Sequence, residues 1–183
     1  MRPRFQPLRA AQAVGVLLRL AGGRMNYTKA LKLLYLADRR ALLETGTTIT
    51  GDQVVNMANG PVLSSVYDCI KGNASHCDSW KATIRTESYD LVQVADAGDS
   101  ELSDYDIELL KDVYKDHIEH GFGDMIKIAH GLPEWHNPYP CKVRSVDYAE
   151  ILRVGGVSPE TVESYESLSE AFERLDSIRI IRS

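Results

Sequence analysis

The run Asn26-Tyr27-Thr28-Lys29-Ala30-Leu31-Lys32-Leu33-Leu34-Tyr35-Leu36-Ala37-Asp38-Arg39-Arg40 constrains this chain more than any other segment. At about 100° per residue, Leu31, Leu34, Tyr35, Asp38 and Leu42 fall on one helical face, and Ala30, Leu33, Ala37 and Ala41 widen it. Lys29, Lys32, Arg39 and Arg40 gather along the remaining edge. A helix apolar over most of its circumference has to be covered on more than one side, so the fold is built around it. Asn26 is placed to cap its start and Gly46 to end it. Asp38 is the odd residue, a carboxylate between Leu31, Leu34 and Leu42. Buried carboxylates are costly unless hydrogen-bonded or paired. Asp38 is therefore expected to be a structural polar residue, anchoring backbone donors or a cation from the Thr47–Gly60 loop; a functional acid is the alternative.

The flanking patterns are mostly helical too. Ala10, Ala13, Val14, Leu17 and Leu18 make an amphipathic stripe over Leu8–Leu20, stopped by Gly22-Gly23. Gly46–Asn59 is expected to be an ordered loop with a short extended piece at Gln53-Val54-Val55. Gly60-Pro61 then predicts a second helix, since proline suits the first helical position, with Val62, Leu63, Val66, Tyr67 and Ile70 buried. Thr83–Thr86 and Leu91–Val94 predict a small hairpin. Ser103 caps a helix whose stripe runs through Ile107, Leu110, Val113 and Tyr114. Another helix covers Asp124–His130. After a loop broken by Pro133, Pro138 and Pro140, helices resume at Asp147–Val154 and from Ser158-Pro159-Glu160 to about Asp176. The fold class is mainly α: a single compact helical domain with a small β-hairpin, a size that 183 residues can stabilise around one core.

Composition removes several functions. A net charge of −5 argues against direct nucleic-acid binding, which depends on phosphate neutralisation; Arg2, Arg4 and Arg9 are a small basic group on a flexible terminus. No apolar run approaches the ~20 residues that span a bilayer, so no membrane role is expected. Three cysteines, Cys69, Cys77 and Cys141, are an odd set that predicts free thiols in an unexported, cytoplasmic protein. Neither CxxC nor HxxxH occurs, and His117 and His120 beside Asp116 and Glu119 suit a solvated helix end, so no metal or other cofactor is expected. GxSxG and the phosphate-loop glycine patterns are absent, which points away from an enzyme. Trp135, set between Pro133 and Pro138 beside His130 and His136, suits either an interface anchor or a lid on the core.

Taken in order, several segments resemble a known family. They are Gly22-Gly23-Arg24-Met25-Asn26-Tyr27, Lys32–Arg39, Ile49-Thr50-Gly51-Asp52, Gly60-Pro61-Val62 and Val66-Tyr67-Asp68, followed by Leu102-Ser103 and His130…Pro133-Glu134-Trp135. Together they are similar to the SocA-like antitoxin family, the Panacea domain, also described as phage-associated GepA-like. The resemblance implies residues 1–7 as a flexible terminus, 8–137 as the antitoxin domain and 138–183 as a C-terminal helical extension. It implies a non-catalytic partner that neutralises a cognate toxin protein, encoded by an adjacent gene, in a bacterial or phage toxin–antitoxin pair. Candidate toxin-contacting residues are Asp52, Asn59, Gly60, Pro61, Tyr67, His130 and Trp135. Asn59 stands where the family often has histidine: a specific contact made by that histidine is altered here, whereas a helix-capping role is kept by asparagine. Specificity is expected in the Gly46–Gly60 loop, the hairpin and the tail beyond Tyr139. A homo-oligomer is compatible with this reading. The alternatives are a proteolytic adaptor or other non-catalytic interaction module, and a hydrolase using His130 and Asp38. The last helix, acidic at Glu160, Glu163, Glu166, Glu170 and Glu173, suits a basic toxin or mimicry of a nucleic acid, or simple packing of its apolar stripe on its own domain.

Overall fold

The computed structural model describes residues 4–73, 75 and 77–181; Arg2 and the side chains of Glu173 and residues 175–181 lie outside the described part. In chain order the elements are α1 (Pro7–Leu20), β1 (Arg24–Asn26), α2 (Tyr27–Thr45), β2 (Val54–Met57), β3 (Gly60–Leu63), α3 (Ser64–Lys71) and α4 (Asp78–Thr83). There follow β4 (Ile84–Glu87), β5 (Asp90–Gln93), α5 (Asp104–Asp116), α6 (Phe122–His130), β6 (Arg144–Val146), α7 (Tyr148–Val154) and α8 (Pro159–Ile181). The architecture is mainly α, with two small antiparallel three-stranded sheets.

Helix α2 is the axis. The Asn26 side chain accepts from the Thr28 and Lys29 amides, and Gly46 ends the helix in the left-handed conformation at φ 76°. α1, α5, α6, α7 and strand β3 all pack on it. Its buried set runs from Ala30 through Tyr35 and includes Ala37, Asp38, Ala41 and Leu42. Lys32 belongs to that set, at 1% exposed, which corrects its expected place on a solvated basic edge. The reason is tertiary: β3 lies across this part of α2. α1 is buried continuously from Ala10 to Leu18. At its centre Gln12 donates to the Ala97 carbonyl (3.0 Å) and the Ser100 hydroxyl (3.2 Å), and accepts from the Glu101 amide (2.9 Å). Ser103 and Asp106 form a capping box at the start of α5.

The expected hairpin is β4–β5, and β1 adds a third strand, pairing Met25 with Leu91. The second sheet, ordered β3-β2-β6, corrects the reading of Gly60-Pro61 as a helix start. Pro61 sits opposite Asn56 in an edge strand, where a missing N–H is tolerated. Gly60, at φ +100°, opens β3 directly after the exposed Ala58-Asn59 turn. The following helix, α3, begins only at Ser64. β6 and the short α4, with buried Trp80, were also unforeseen.

The free-thiol expectation fails for two of the three cysteines. The end of α3 and the start of α4 bring the Cα atoms of Cys69 and Cys77 to 5.6 Å, and the two are disulfide-bonded; Cys141 is free and exposed. α8 packs on α7 and buries Val162, but Leu168 and Phe172 remain 60% and 45% exposed. Among the described residues no helix is long and apolar enough to cross a membrane.

Candidate interaction site

Two buried carboxylates set the approach to the β2–β3 hairpin. Asp38 Oδ1 accepts from the Ile49 amide (2.9 Å) and the Thr50 amide (3.1 Å), and Oδ2 accepts from the Thr50 hydroxyl. Burial pushes Asp38 up to about 7, opposed by these hydrogen bonds and helped by the neighbouring Asp52 charge. Asp52 accepts from the amides of Gln53 (2.8 Å), Ser65 (3.0 Å) and Val66 (2.9 Å), so it caps α3 from outside the helix. Burial raises the Asp52 carboxyl as well. The Tyr148 hydroxyl donates to the Asp52 carbonyl (2.5 Å), fastening α7 to the same loop.

The other end of the hairpin, Met57-Ala58-Asn59-Gly60, is held from α6 and the loop after it. Trp135 Nε1 donates to the Met57 carbonyl (3.2 Å), and His130 Nε2 to the Ala58 carbonyl (2.9 Å). The two rings stack with centroids 3.9 Å apart and planes 18° apart. A Cβ on Gly60 would stand 2.8 Å from Ala129 Cβ, so the turn rests directly on α6. Beneath this clamp Glu134 is fully buried. It accepts from the Tyr35 hydroxyl (2.6 Å) and from Arg39 Nε (2.6 Å) and Nη2 (3.2 Å), while its carbonyl accepts from Asn56 Nδ2 (3.0 Å). Burial and the Glu134 charge push the Tyr35 phenol far up.

Between the turn, the first turns of α2 and α3 lies a cleft of about 130 Å³. Tyr27, Thr28, Leu31 and Lys32 line it from α2, Met57, Ala58 and Asn59 from the turn, and Val62 and Tyr67 close it. On its rim the Lys71 ammonium lies 4.4 Å from the Tyr27 ring centroid and 5.4 Å from that of Tyr67, and donates to the Tyr27 hydroxyl (3.1 Å). That hydrogen bond is the main reason the Lys71 amine titrates above its ordinary value. Tyr89, 69% exposed, stacks beside Tyr27 at 6.2 Å. On the cleft floor, the Lys32 ammonium donates to the Pro61 carbonyl (2.7 Å), and burial pushes it down to about 7.

Of the sequence candidates, Asn59, Gly60, Pro61 and Tyr67 come together here, with His130 and Trp135 behind the turn. Asn59 is exposed, Tyr67, His130 and Trp135 are half-buried, and Gly60 and Pro61 are buried. Asp52 lies apart, at the opposite end of the hairpin and 0% exposed. Sequence reasoning missed Tyr27, Lys32, Lys71 and Tyr89. The turn Glu87-Ser88-Tyr89-Asp90 was visible, but not the pairing of β5 with β1 that carries Tyr89 to Tyr27. Among the described residues no three His, Cys, Asp or Glu side chains gather as a metal site.

The molecule is thus a scaffold wrapped around one helix, presenting a small cleft with an aromatic and basic rim. The chain belongs to the family described as Antitoxin SocA-like, Panacea domain, which matches residues 31–136. That span takes in the whole cleft except Tyr27 and Thr28, together with the His130–Trp135 clamp. No curated protein and no solved structure matches the chain.

Proposed function

We propose that the protein is an antitoxin that neutralises a cognate toxin by direct protein–protein contact, without catalysis or a cofactor, the toxin being the product of an adjacent gene. Family membership across residues 31–136 carries this reading. The cleft supports its location. Tyrosine is enriched at interface hot spots because it buries a large rigid ring while keeping a polar tip. Tyr27 and Tyr67 line the opening, and Tyr89 stacks beside Tyr27. A stable complex needs about 1,200–2,000 Å² of buried surface, so the cleft acts as an anchor within a larger contact. The adjoining surface offers apolar area. Lys29 donates to the Ile118 carbonyl (3.0 Å), which places exposed Ile118 beside the start of α2, and Phe122 is exposed close by in sequence.

We place this activity in the cytoplasm, where a toxin from a neighbouring gene is met as it is made. Thiol buffers there reduce accessible disulfides, and Cys69 and Cys77 are both buried. Co-expression with the adjacent gene product tests the proposal through growth and co-purification. The expected result is growth arrest by the neighbour alone, rescue by this chain, and a stable complex. A harmless neighbour that still co-purifies would instead indicate an adaptor, and arrest without rescue would remove the antitoxin role.

A further inference from the structure

The cleft floor holds a charge that aromatic docking alone does not use. Lys32 is the only lysine or arginine in the buried class among the described residues. Its ammonium carries three N–H donors, of which one is satisfied by the Pro61 carbonyl. Its downward shift has burial as its cause, with no carboxylate contributing, and among the described residues none forms an ion pair with it. A buried ammonium with no counter-charge is costly, and proteins rarely keep one without a partner. Its side chain is part of the lining of the cleft, which gives a counter-charge a route toward it from outside. A Cβ on Gly60 would stand 3.2 Å from the Lys32 Nζ, so the glycine leaves the ammonium its room between β3 and α6.

We propose that the cleft receives a carboxylate of the protein partner, seated on the Lys32 ammonium, with the attached carbon chain against Leu31 and Val62. This deepens the docking reading and rests on it. A carboxylate fits better than a phosphate for two reasons. Two unused donors match the two oxygens of a monoanion. The cation on the rim, Lys71, is already engaged with Tyr27 and lies over two rings, so a dianion would enter a half-apolar site under-neutralised. The carboxylate has two sources, the partner's chain terminus or an Asp or Glu side chain.

The test uses the full chain with its lysine ε-carbons isotopically labelled, observed by NMR. Three probes are titrated: N-acetyl-Gly-Leu with a free C-terminus, N-acetyl-Asp-Leu-amide, and neutral N-acetyl-Gly-Leu-amide. The expected result is that at least one acidic probe shifts the Lys32 ε resonance and the amides of Thr28 and Asn59, while the neutral probe does not. Whichever acid acts identifies the source. No response to either acid, or an equal response to the neutral peptide, overturns the proposal. In parallel, Lys32→Met is compared with wild type for affinity to the adjacent gene product. A folded variant should bind on the order of thirty-fold more weakly, or worse, as for the loss of one member of a buried charge pair. Equal affinity overturns the role of Lys32 while leaving docking intact, whereas a wild-type chain that binds no neighbour removes the docking reading itself. Should Lys32→Met fail to fold, the peptide titrations of the wild type decide.

Discussion

Asp38→Leu asks whether a carboxylate inside the central helix holds the protein together or merely survives there. Leucine matches the volume but strands three donors: the Ile49 amide, the Thr50 amide and the Thr50 hydroxyl. Each buried donor left unpaired costs about 1–3 kcal/mol, and with partial relaxation the loss is about 3–6 kcal/mol, a large share of the ~5–15 kcal/mol typical of a folded domain. Ionisation of the buried carboxyl at higher pH offsets part of this loss. The Asp38 carboxyl is raised from its ordinary 3.8 to about 7 in the folded state, so folding takes up a proton between those values. The associated stability is therefore fully present below pH 3.8 and is lost as pH rises through about 7. Between pH 5 and pH 8 the wild type should lose about 3 kcal/mol on this account, a loss leucine cannot show. The assay is urea unfolding of both proteins at the two pH values. The expected result is a clearly weaker variant at pH 5 and a gap that narrows at pH 8. A variant as stable as wild type at pH 5 would refute the stranded-donor reasoning. A gap independent of pH would show a carboxylate ionised throughout. Asp38→Asn separates the two effects, since its amide oxygen still accepts from the Ile49 and Thr50 amides while the proton linkage disappears.

Gly60→Ala should cost about 2 kcal/mol or more by thermal unfolding, because the residue sits at φ +100° and its new Cβ would fall 2.8 Å from that of Ala129; an unchanged Tm would mean the turn can move off α6. Trp135→Ala should lower stability by about 1–3 kcal/mol through loss of the Met57 hydrogen bond and the His130 stack, and a variant that melts normally but cannot bind would recast Trp135 as a direct contact. Tyr89→Ala removes an exposed ring and should leave stability within about 0.5 kcal/mol while weakening co-purification with the neighbouring gene product; unaltered binding would move the interface away from the tyrosine rim.

What could be read in advance was whatever the chain decides locally. The periodicity of α2, its Asn26 cap, the Gly46 stop, the Ser103 start and the β4–β5 hairpin all depend on residues within a few positions of one another. The errors share a different character. Proline suits both the first turn of a helix and an edge strand, and only the antiparallel partner β2 makes Pro61 the latter. That same sheet is completed by Arg144–Val146, a pairing across about ninety residues that no local signal announces. Lys32 follows the pattern of a solvated edge, and its burial comes from a hairpin folding over α2. The candidate site inherits both outcomes: Asn59, Gly60 and Tyr67 were visible as motif residues, whereas Lys71 and Tyr89 became neighbours of Tyr27 only through folding.

Strand β2 lies between β3 and β6, and this separates the part of the chain that is recognisable from the part that can be transplanted. The family match starts inside α2 and stops at residue 136, before β6. A graft of residues 31–136 into another chain would carry the cleft floor, the turn and the clamp. It would also leave β2 with a bare edge, a template for adventitious strand pairing. It would lack the whole of α1, which covers α2, and Tyr148, which fastens the loop at Asp52. A transplant that keeps the cleft together with its supports must therefore run from about Pro7 to Val154.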